Sequence, residues 1–212
     1  MRKWYPAVLV VCAFAVSVVA YGRLPARVPV HWDVHGQVNG YGSRAVGAFL
    51  LPSIMLIIAI LIPALPKIDP REENYEKFRP SYDLIFAAVL TMLFIGYLAA
   101  LGRTFGMHVP IERVIPAAVG LLLVVLGNVM PRVRPNWMIG IRTPWTLSND
   151  RVWTRTHRVG GYLFTAAGLL LVVTIVLPLG ASGFRVGIGA VAAAALGSAA
   201  YSYVAWRQET RS

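Results

Sequence analysis

Two segments of this chain concentrate the side chains that could bind a ligand or a partner. In the first, His31, Asp33 and His35 alternate along a stretch that favours a strand, so all three would lie on one face. Two imidazoles and a carboxylate are zinc ligands, which makes a metal site one hypothesis. Pairing with the loop backbone is the favoured alternative, because no fourth ligand is evident. We therefore predict no metal and no cofactor.

The second segment, residues 131–160, combines three tryptophans with six arginines. This composition argues against disorder, because tryptophan needs a packed or interfacial environment. Arg142 and Arg155 could grip an anionic group or an acidic partner. An interfacial belt with arginines on lipid phosphates is an equal alternative at this point.

A helix start is predicted inside the second segment. Ser148 or Asn149 would cap it, because both side chains accept hydrogen bonds from the free amides of a first helical turn. Trp153, Thr156 and His157 follow three to four residues apart, so they share one helix face.

Catalytic constellations are otherwise missing from the sequence. It has no Gly-rich phosphate loop, no Gly-x-Ser-x-Gly elbow and no acidic pair within an apolar run. We therefore predict that the protein is not an enzyme. A membrane-embedded metalloenzyme using His31, Asp33 and His35 is the alternative.

Six long apolar runs position these segments. Each is about long enough to cross a ~30 Å hydrocarbon layer, and none contains a charged side chain, which would cost on the order of 2.5–3.5 kcal/mol at mid-bilayer. We predict an all-α polytopic membrane protein, a bundle of six transmembrane helices with two elaborated loops. The predicted spans are Trp4–Tyr21, Val46–Leu65, Leu84–Leu101, Val114–Met130, Tyr162–Leu179 and Val186–Trp206.

The basic residues are distributed unequally between the two sides of these spans. Of the 20 Lys and Arg residues, 14 fall on the side that carries the N-terminus. The positive-inside rule then places both termini in the cytoplasm and the protein in the cell membrane, where the basic excess contacts lipid. Because topology explains the net charge of +11, we predict no direct contact with nucleic acid.

The first loop, residues 22–45, would lie outside the cell as a compact flap. Val28–Val34 favours a strand, and Asn39–Gly40 predicts a tight turn because both residues tolerate positive φ. The second loop would be a solvated connector with a short interfacial helix from Pro70 to Arg79, started by Asp69.

The last span carries small residues at every fourth position, Gly189, Ala193 and Gly197. Small residues on one helix face let backbones approach closely. We favour tight packing inside the bundle, and a homodimer through this face is the alternative.

Two sequence motifs resemble a known family. Residues 136–149 read Asn-Trp-Met-Ile-Gly-Ile-Arg-Thr-Pro-Trp-Thr-Leu-Ser-Asn, and 152–161 read Val-Trp-Thr-Arg-Thr-His-Arg-Val-Gly-Gly. Together they closely resemble the signature of the SdpI family of bacterial membrane proteins. Leu24-Pro-x-x-Val-Pro-x-His31-Trp, followed by Asn39-Gly-Tyr-Gly-Ser43, resembles the small domain of unknown function that often precedes that signature.

The resemblance implies an immunity-type protein. The name-giving member protects its producer from a secreted killing peptide and holds a transcriptional repressor at the membrane. Combined with the predicted spans, it divides this chain into a two-span unit with the flap, a linker helix with the third span, and an SdpI-like region with the motif loop. These regions are residues 1–65, 66–113 and 114–206.

We therefore expect a binding and signalling protein. The flap would bind a secreted antimicrobial peptide or related amphiphile through His31, Trp32, Asp33, Asn39 and Tyr41. The cytoplasmic loop would capture a regulator such as a repressor. The positions that the resemblance implies for this loop are Asn136, Arg142, Thr143, Trp145, Asn149, Trp153, Thr156 and His157, with Gly140, Pro144 and Gly161.

A transporter or flippase for a small amphiphile is a further alternative. It would require a polar cavity at mid-membrane. The predicted spans offer few polar side chains for one, namely Ser17, Thr91, Asn128, Thr165 and Thr174.

Overall fold

The computed structural model describes residues 4–177 and 180–211. Most of these residues form long helices that run between the two ends of the molecule. One end carries a β-hairpin, and we call it the hairpin end. The other carries residues 69–78 and 130–149, and we call it the motif end. The elements are α1 Tyr5–Tyr21, β1 Arg27–Trp32, β2 Val38–Ser43, α2 Arg44–Ile68, α3 Arg79–Thr104, α4 Ile111–Val129, α5 Pro144–Ser148, α6 Asp150–Val176 and α7 Gly180–Glu209.

Five helices of the described ranges, α2, α3, α4, α6 and α7, are long and apolar enough to cross a membrane. The helix α1 is a shorter apolar helix of 17 residues. Large apolar side chains such as Val18, Ile60 and Leu196 are more than 60% exposed, which water would disfavour. This surface is that of a multi-pass membrane protein, and the count of six spans stays a prediction. The predicted end of the fifth span, Leu179, lies outside the described residues.

The hairpin turn is not where the sequence predicts it. Asn39 and Gly40 lie inside β2, and the turn instead follows Asp33. The Asp33 carboxylate accepts the backbone N–H groups of His35 and, at 2.9 Å, of residue 37, within a turn that also contains Gly36 at φ 73°. An aspartate that bonds the amides after it defines this turn more strongly than an Asn-Gly pair does.

The strand β1 ends at Trp32, two residues before the end predicted for it, because Asp33 begins the turn. The hairpin is fixed to the start of α2. Val28 is 2% exposed and packs over Gly47, where an added Cβ would collide with the Val28 side chain. Ser43 ends β2 and caps α2, since its hydroxyl accepts the Val46 N–H at 3.3 Å.

The connector between α2 and α3 is not a single helix, and it is solvated only on one side, where Glu72, Glu73, Glu76 and Lys77 are exposed. It forms two 3-10 turns, Glu72–Asn74 and Glu76–Phe78, and Pro80 lies in the first turn of α3 instead of ending a helix. Tyr75 and Phe78 stand three residues apart, a spacing that the 3-10 period places on one side. Both are 2% exposed and pack against the bundle, so core burial decides the conformation of this connector.

Close helix contacts hold the bundle together. Ser17 of α1 lies within 2.7 Å of the Ala48 carbonyl of α2 and within 2.6 Å of the Tyr97 hydroxyl of α3. On the other side, α4 and α6 approach through glycines spaced seven apart. A Cβ on Gly161 would lie 2.7 Å from the Gly127 carbonyl oxygen. The two helices approach each other in the same way at Gly120 and Gly168, where a Cβ added to either glycine would collide with the carbonyl oxygen of the other.

The small-residue stripe on α7 packs against the bundle only at its last residue. Gly197 is half-buried, and an added Cβ there would lie 3.6 Å from Leu163 of α6. Gly189 and Ala193 are exposed, and nothing lies within 4 Å of a Cβ added at Gly189, so the favoured interpretation of tight packing is wrong for these two residues. The buried small residues of α7 are others, including Gly187, where a Cβ would collide with Leu171 of α6.

Candidate functional site

Residues 130–149 form a segment, here called the motif segment, that is folded back on itself by Asn136. This side chain is 1% exposed. Its Oδ1 accepts the N–H groups of Met138 at 2.9 Å and Ile139 at 2.7 Å, and its Nδ2 donates to the Arg134 carbonyl at 2.9 Å. Since the amide satisfies three backbone groups, the turn is organised before any partner arrives.

Asp69 and Tyr75 attach the motif segment to the end of α2. The Tyr75 hydroxyl donates to Asp69 Oδ2 at 2.6 Å and lies 3.2 Å from the Asn136 amide oxygen. The Trp137 N–H donates to the same Asp69 oxygen at 2.8 Å, and the Arg71 N–H donates to the other oxygen at 2.8 Å. Three donors compensate the burial of a carboxylate that is only 5% exposed.

Asp69 and Tyr75 are not identifiable as members of this site from the sequence. Both lie about 60 residues before Asn136, in a segment interpreted as a solvated connector. The only signal in the sequence was the aromatic spacing of Tyr75, Phe78 and Tyr82, whose rings pack with centroids 5.3 and 5.4 Å from Tyr75. Aromatic residues at such spacing predict burial, but they do not identify the polar partner.

Trp153 and His157 of α6 support the middle of the motif segment. Their rings stack with centroids 4.0 Å apart, and both side chains are fully buried. Trp153 Nε1 donates to the Val133 carbonyl at 2.9 Å. His157 Nδ1 lies 2.9 Å from the Trp153 carbonyl, and Nε2 accepts the Ile141 N–H at 3.0 Å. These two partners fit a neutral imidazole protonated on Nδ1.

Gly140 lies directly on this ring pair. Its φ is 117°, a region that side chains with a Cβ rarely adopt. An added Cβ would collide with His157 Nε2 and lie 3.2 Å from two ring carbons of Trp153. Glycine is therefore required here for both the backbone conformation and the close approach.

Two helices, α5 and α6, begin near the end of the motif segment, and a side chain caps the start of each. Thr143 caps α5 and accepts the Thr146 N–H, and its hydroxyl lies 2.9 Å from Ser202 of α7. Asn149 caps α6 by accepting the Arg151 and Val152 N–H groups, which confirms the predicted helix start. Thr156, on the buried face that it shares with Trp153 and His157, has no hydrogen-bond partner for its hydroxyl among the described residues.

Ion pairs join three elements at the motif end, namely the connector, α6 and α7. Arg71 of the connector pairs with Asp150 at 2.7 Å, in the first turn of α6. Arg151 and Arg155 of α6 reach Glu209 at the end of α7, at 2.9 and 3.6 Å. Arg155, predicted to grip a partner, is therefore engaged within the chain.

The residues that the sequence predicts for the cytoplasmic loop differ in how deeply they are buried. Asn136, Trp153 and His157 are buried and hold the segment in place, and Thr156 is buried on the same helix face as the two rings. Thr143, Trp145 and Asn149 are partly buried, and Trp145 packs on Tyr203 at 5.0 Å. Pro144 is exposed, whereas Gly161 is buried between α4 and α6.

Arg142 belongs to an exposed basic surface at the motif end. Its guanidinium donates to the Trp137 carbonyl at 2.7 Å while the Trp137 side chain is 47% exposed. Arg132, Arg134 and Arg158 are also exposed. Arg134 and Arg158 have no side-chain partner within residues 4–177 and 180–211. These cations can bind phosphates or carboxylates without first breaking an internal ion pair.

The residues predicted for the flap do not form one cluster. His31 Nδ1 is hydrogen-bonded to the Asn39 amide oxygen, and Tyr41 is exposed with the Arg27 guanidinium 5.1 Å from its ring centroid. The backbone N–H groups of residues 37 and 35 lower the pKa of the Asp33 carboxyl below its ordinary value. Of the five residues predicted for the flap, only Trp32 lines a cavity that is shared with the helices.

The metal hypothesis loses its geometric basis. Because β1 ends at Trp32, Asp33 and His35 lie in the turn and do not alternate along the strand with His31. In the part of the chain that the structure describes, no group of three His, Cys, Asp or Glu side chains could hold an ion.

Exposed apolar helices and an ordered segment at one end define a multi-pass membrane protein with a folded terminal face. Residues 132–202 match the model of the SdpI/YfhL protein family, and residues 8–56 match a domain of unknown function, DUF1648. The chain carries an SdpI family domain preceded by DUF1648. This confirms the resemblance drawn from the two motifs.

Curated relatives agree with this assignment. The chain is 28% identical over 174 residues to the immunity protein SdpI of Bacillus subtilis (strain 168), covering 82% of this chain and 81% of that protein. It is 34% identical over 50 residues to the uncharacterized membrane protein YbgB of the same strain, covering 24% of this chain and 55% of that protein. No solved structure matches.

Proposed function

We propose that this protein is an immunity protein of the bacterial cell membrane that binds a secreted hydrophobic peptide at its hairpin end and captures a cytoplasmic regulator at its motif end. The observation that carries the proposal is the similarity to an immunity protein over 82% of the chain, together with the ordered basic surface at the motif end. In this proposal the protein is a binding protein and not an enzyme.

The motif end has the properties of a protein-binding surface. Buried hydrogen bonds of Asn136 and Asp69 hold the segment rigid, so little conformational entropy is lost when a partner docks. Arg142 and Trp137 then present a cation and an aromatic ring side by side. Arginine and tryptophan are the side chains that most often dominate protein interfaces.

The unequal distribution of basic residues supports a cytoplasmic motif end. In the six-span arrangement predicted from the sequence, 14 of the 20 Lys and Arg residues fall on that side. With six spans, both termini would be cytoplasmic and the exposed arginines would also contact anionic lipid headgroups. The hairpin end would then face secreted molecules.

The helix α2 provides a physical link between the two ends. It starts directly after the hairpin at Arg44 and ends at Ile68, next to Asp69. A displacement of the hairpin that moved α2 along its axis would change the position of Asp69, and with it the motif segment. Peptide binding can bias such a change only if it favours one of the two positions.

Transport is less well supported, because polar side chains within the helices are already engaged in hydrogen bonds inside the protein. Ser17 contacts Ala48 and Tyr97, and Thr91 donates to the Ala87 carbonyl at 2.7 Å. Thr174 donates to the Leu171 carbonyl at 2.9 Å. Hydroxyls that are engaged in this way leave few free polar groups to line a water-filled path across the membrane.

A survival assay tests the immunity function. The chain is expressed in a Bacillus subtilis strain that lacks its own SdpI, and the cells are exposed to medium from a toxin-producing wild-type culture. Survival above that of cells carrying an empty vector supports the proposal. Equal killing, with the protein confirmed in the membrane fraction, would reject protection against that peptide.

Replacing Arg142 by alanine is expected to weaken regulator capture about tenfold or more, because a hydrogen bond to a charged group contributes about 1.5–3 kcal/mol. The measurement is retention of a repressor encoded next to the gene on membranes that contain the protein. Arg113→Ala, which removes an exposed arginine in the first turn of α4 at the hairpin end, is the matched control. Equal retention by both variants would remove Arg142 from the binding surface.

Gly189→Leu tests the proposed homodimer through α7. Since nothing lies within 4 Å of an added Cβ, the stability of the monomer is expected to change by less than about 0.5 kcal/mol. A leucine would nevertheless keep two copies of this face apart. Chemical cross-linking in membranes should then lose a dimer that Ala195→Leu, at an exposed position on a different face of α7, retains. An unchanged dimer would exclude the Gly189 face.

A further inference from the structure

A cavity of about 280 Å³ lies beneath the hairpin, and we call it the hairpin cavity. Its walls come from β1 and from α2, α3 and α4, and they are apolar except at three side chains. The hydroxyl of Tyr97 is bonded to Ser17, and that of Thr104 donates to the Ala100 carbonyl at 2.9 Å. The third polar group is the indole of Trp32.

The indole N–H of Trp32 is buried and has no hydrogen-bond partner among the described residues. Buried donors in folded proteins almost always find an acceptor, and one that does not calls for an explanation. Here the donor belongs to a side chain that lines an otherwise apolar cavity. A ligand that brings both an apolar group and a carbonyl oxygen would satisfy the site completely.

We propose that the hairpin cavity receives an apolar side chain of a hydrophobic peptide, one of whose backbone carbonyls accepts the Trp32 indole N–H. This inference rests on the proposed function, because it names the site at which the secreted peptide would bind. It also assigns the role to Trp32, while His31, Asp33 and Asn39 serve the hairpin's own turn and strand contacts.

The size and the chemistry of the cavity favour a peptide over a lipid. Pockets that enclose whole small molecules usually measure about 300–1,000 Å³, so 280 Å³ suits part of a ligand, such as one or two side chains. In a peptide each side chain stands next to a carbonyl, so one residue supplies both groups. In a phospholipid the ester carbonyls lie beside a charged phosphate, and the cavity lining contains no charged side chain.

Nitrogen-15 labelling of the six tryptophan indoles gives a direct readout of the donor. The full chain is studied in lipid-free dodecyl maltoside micelles, and Trp32→Phe assigns the Trp32 signal by its disappearance. The probe is a synthetic Leu-Ala-Leu-Ala-Leu peptide, acetylated and amidated. A saturable downfield shift of the Trp32 indole proton is expected, because this proton gains an acceptor.

Filling the cavity should abolish that shift. Ala100→Leu places a larger side chain in the lining and is expected to weaken peptide binding at least tenfold. Ala166→Leu makes the same exchange at an exposed position of α6 and should leave binding unchanged. If Ala100→Leu does not fold, Gly96→Ala narrows the same cavity, since its Cβ would meet only Ile115 at 3.6 Å.

Three outcomes would overturn the inference. They are a Trp32 shift caused by added phosphatidylglycerol but not by the peptide, no shift with either, and a peptide shift that the filling variants leave intact. The survival assay separates this inference from the proposed function. If the wild type protects and Ala100→Leu protects equally well, the cavity is not the site, whereas a wild type that fails to protect contradicts the function itself.

Discussion

Replacing Gly140 by alanine is expected to destabilise the motif segment by about 2–4 kcal/mol and to abolish regulator capture. The new Cβ would force a residue at φ 117° into strain and collide with His157 Nε2. To avoid this collision the segment must move away from the stacked Trp153 and His157 rings, which breaks the Ile141 hydrogen bond. Thermal unfolding in detergent should show a melting temperature lower by about 5–15 °C.

Gly106 provides the matched control for this prediction. Its φ is 82°, but nothing lies within 4 Å of an added Cβ. Gly106→Ala therefore introduces backbone strain alone, which costs about 1–2 kcal/mol, and should leave regulator capture intact. If both variants lower the melting temperature equally, contact with the ring pair contributes nothing and our account of Gly140 is wrong.

Features governed by local sequence were predictable. Hydropathy located the long helices, because an apolar run of about 20 residues leaves few alternatives to a spanning helix. The cap at Asn149 and the shared face of Trp153, Thr156 and His157 also follow from local rules of helix geometry. Each of these predictions depends on residues within one or two helical turns of each other.

Features that depend on distant contacts were not predictable. Asp69 was interpreted as a helix cap, because the sequence cannot show that Tyr75 and Trp137 share its carboxylate. The Asn39–Gly40 turn failed in the same way, since Asp33 competes for the turn. A turn preference of this kind is weak, and a stronger set of hydrogen bonds nearby overrides it.

A motif alone also does not separate residues that bind from residues that support. Asn136 and Arg142 belong to the same motif, yet one is 1% exposed and the other lies on the surface. Whether a side chain is buried depends on contacts with residues that are distant in the sequence. The motif could therefore identify both Asn136 and Arg142 as candidates without distinguishing their roles. The structure shows that Asn136 holds the segment, whereas Arg142 is exposed and donates to the Trp137 carbonyl.

Replacing Asp69 by asparagine is expected to weaken the attachment of the motif segment to α2. The carboxylate uses one oxygen for Arg71 and the other for both Tyr75 and Trp137. An asparagine has only one acceptor oxygen, so in either orientation its NH2 group faces at least one N–H or O–H donor. We expect a loss of about 2–4 kcal/mol, since a buried donor left without an acceptor costs about 1–3 kcal/mol.

A double-mutant cycle with Tyr75→Phe tests whether this loss arises in the network itself. If the Tyr75 hydroxyl acts mainly through Asp69, the double variant should lose clearly less stability than the sum of the two single variants. Asp83→Asn, which removes a carboxylate that pairs with Arg79 at 3.0 Å within α3, should cost only about 0.3–0.5 kcal/mol. Strict additivity would mean that the two side chains stabilise the protein separately. In that case Asp69 would join α2 to the motif segment through the Trp137 N–H alone, without a contribution from Tyr75.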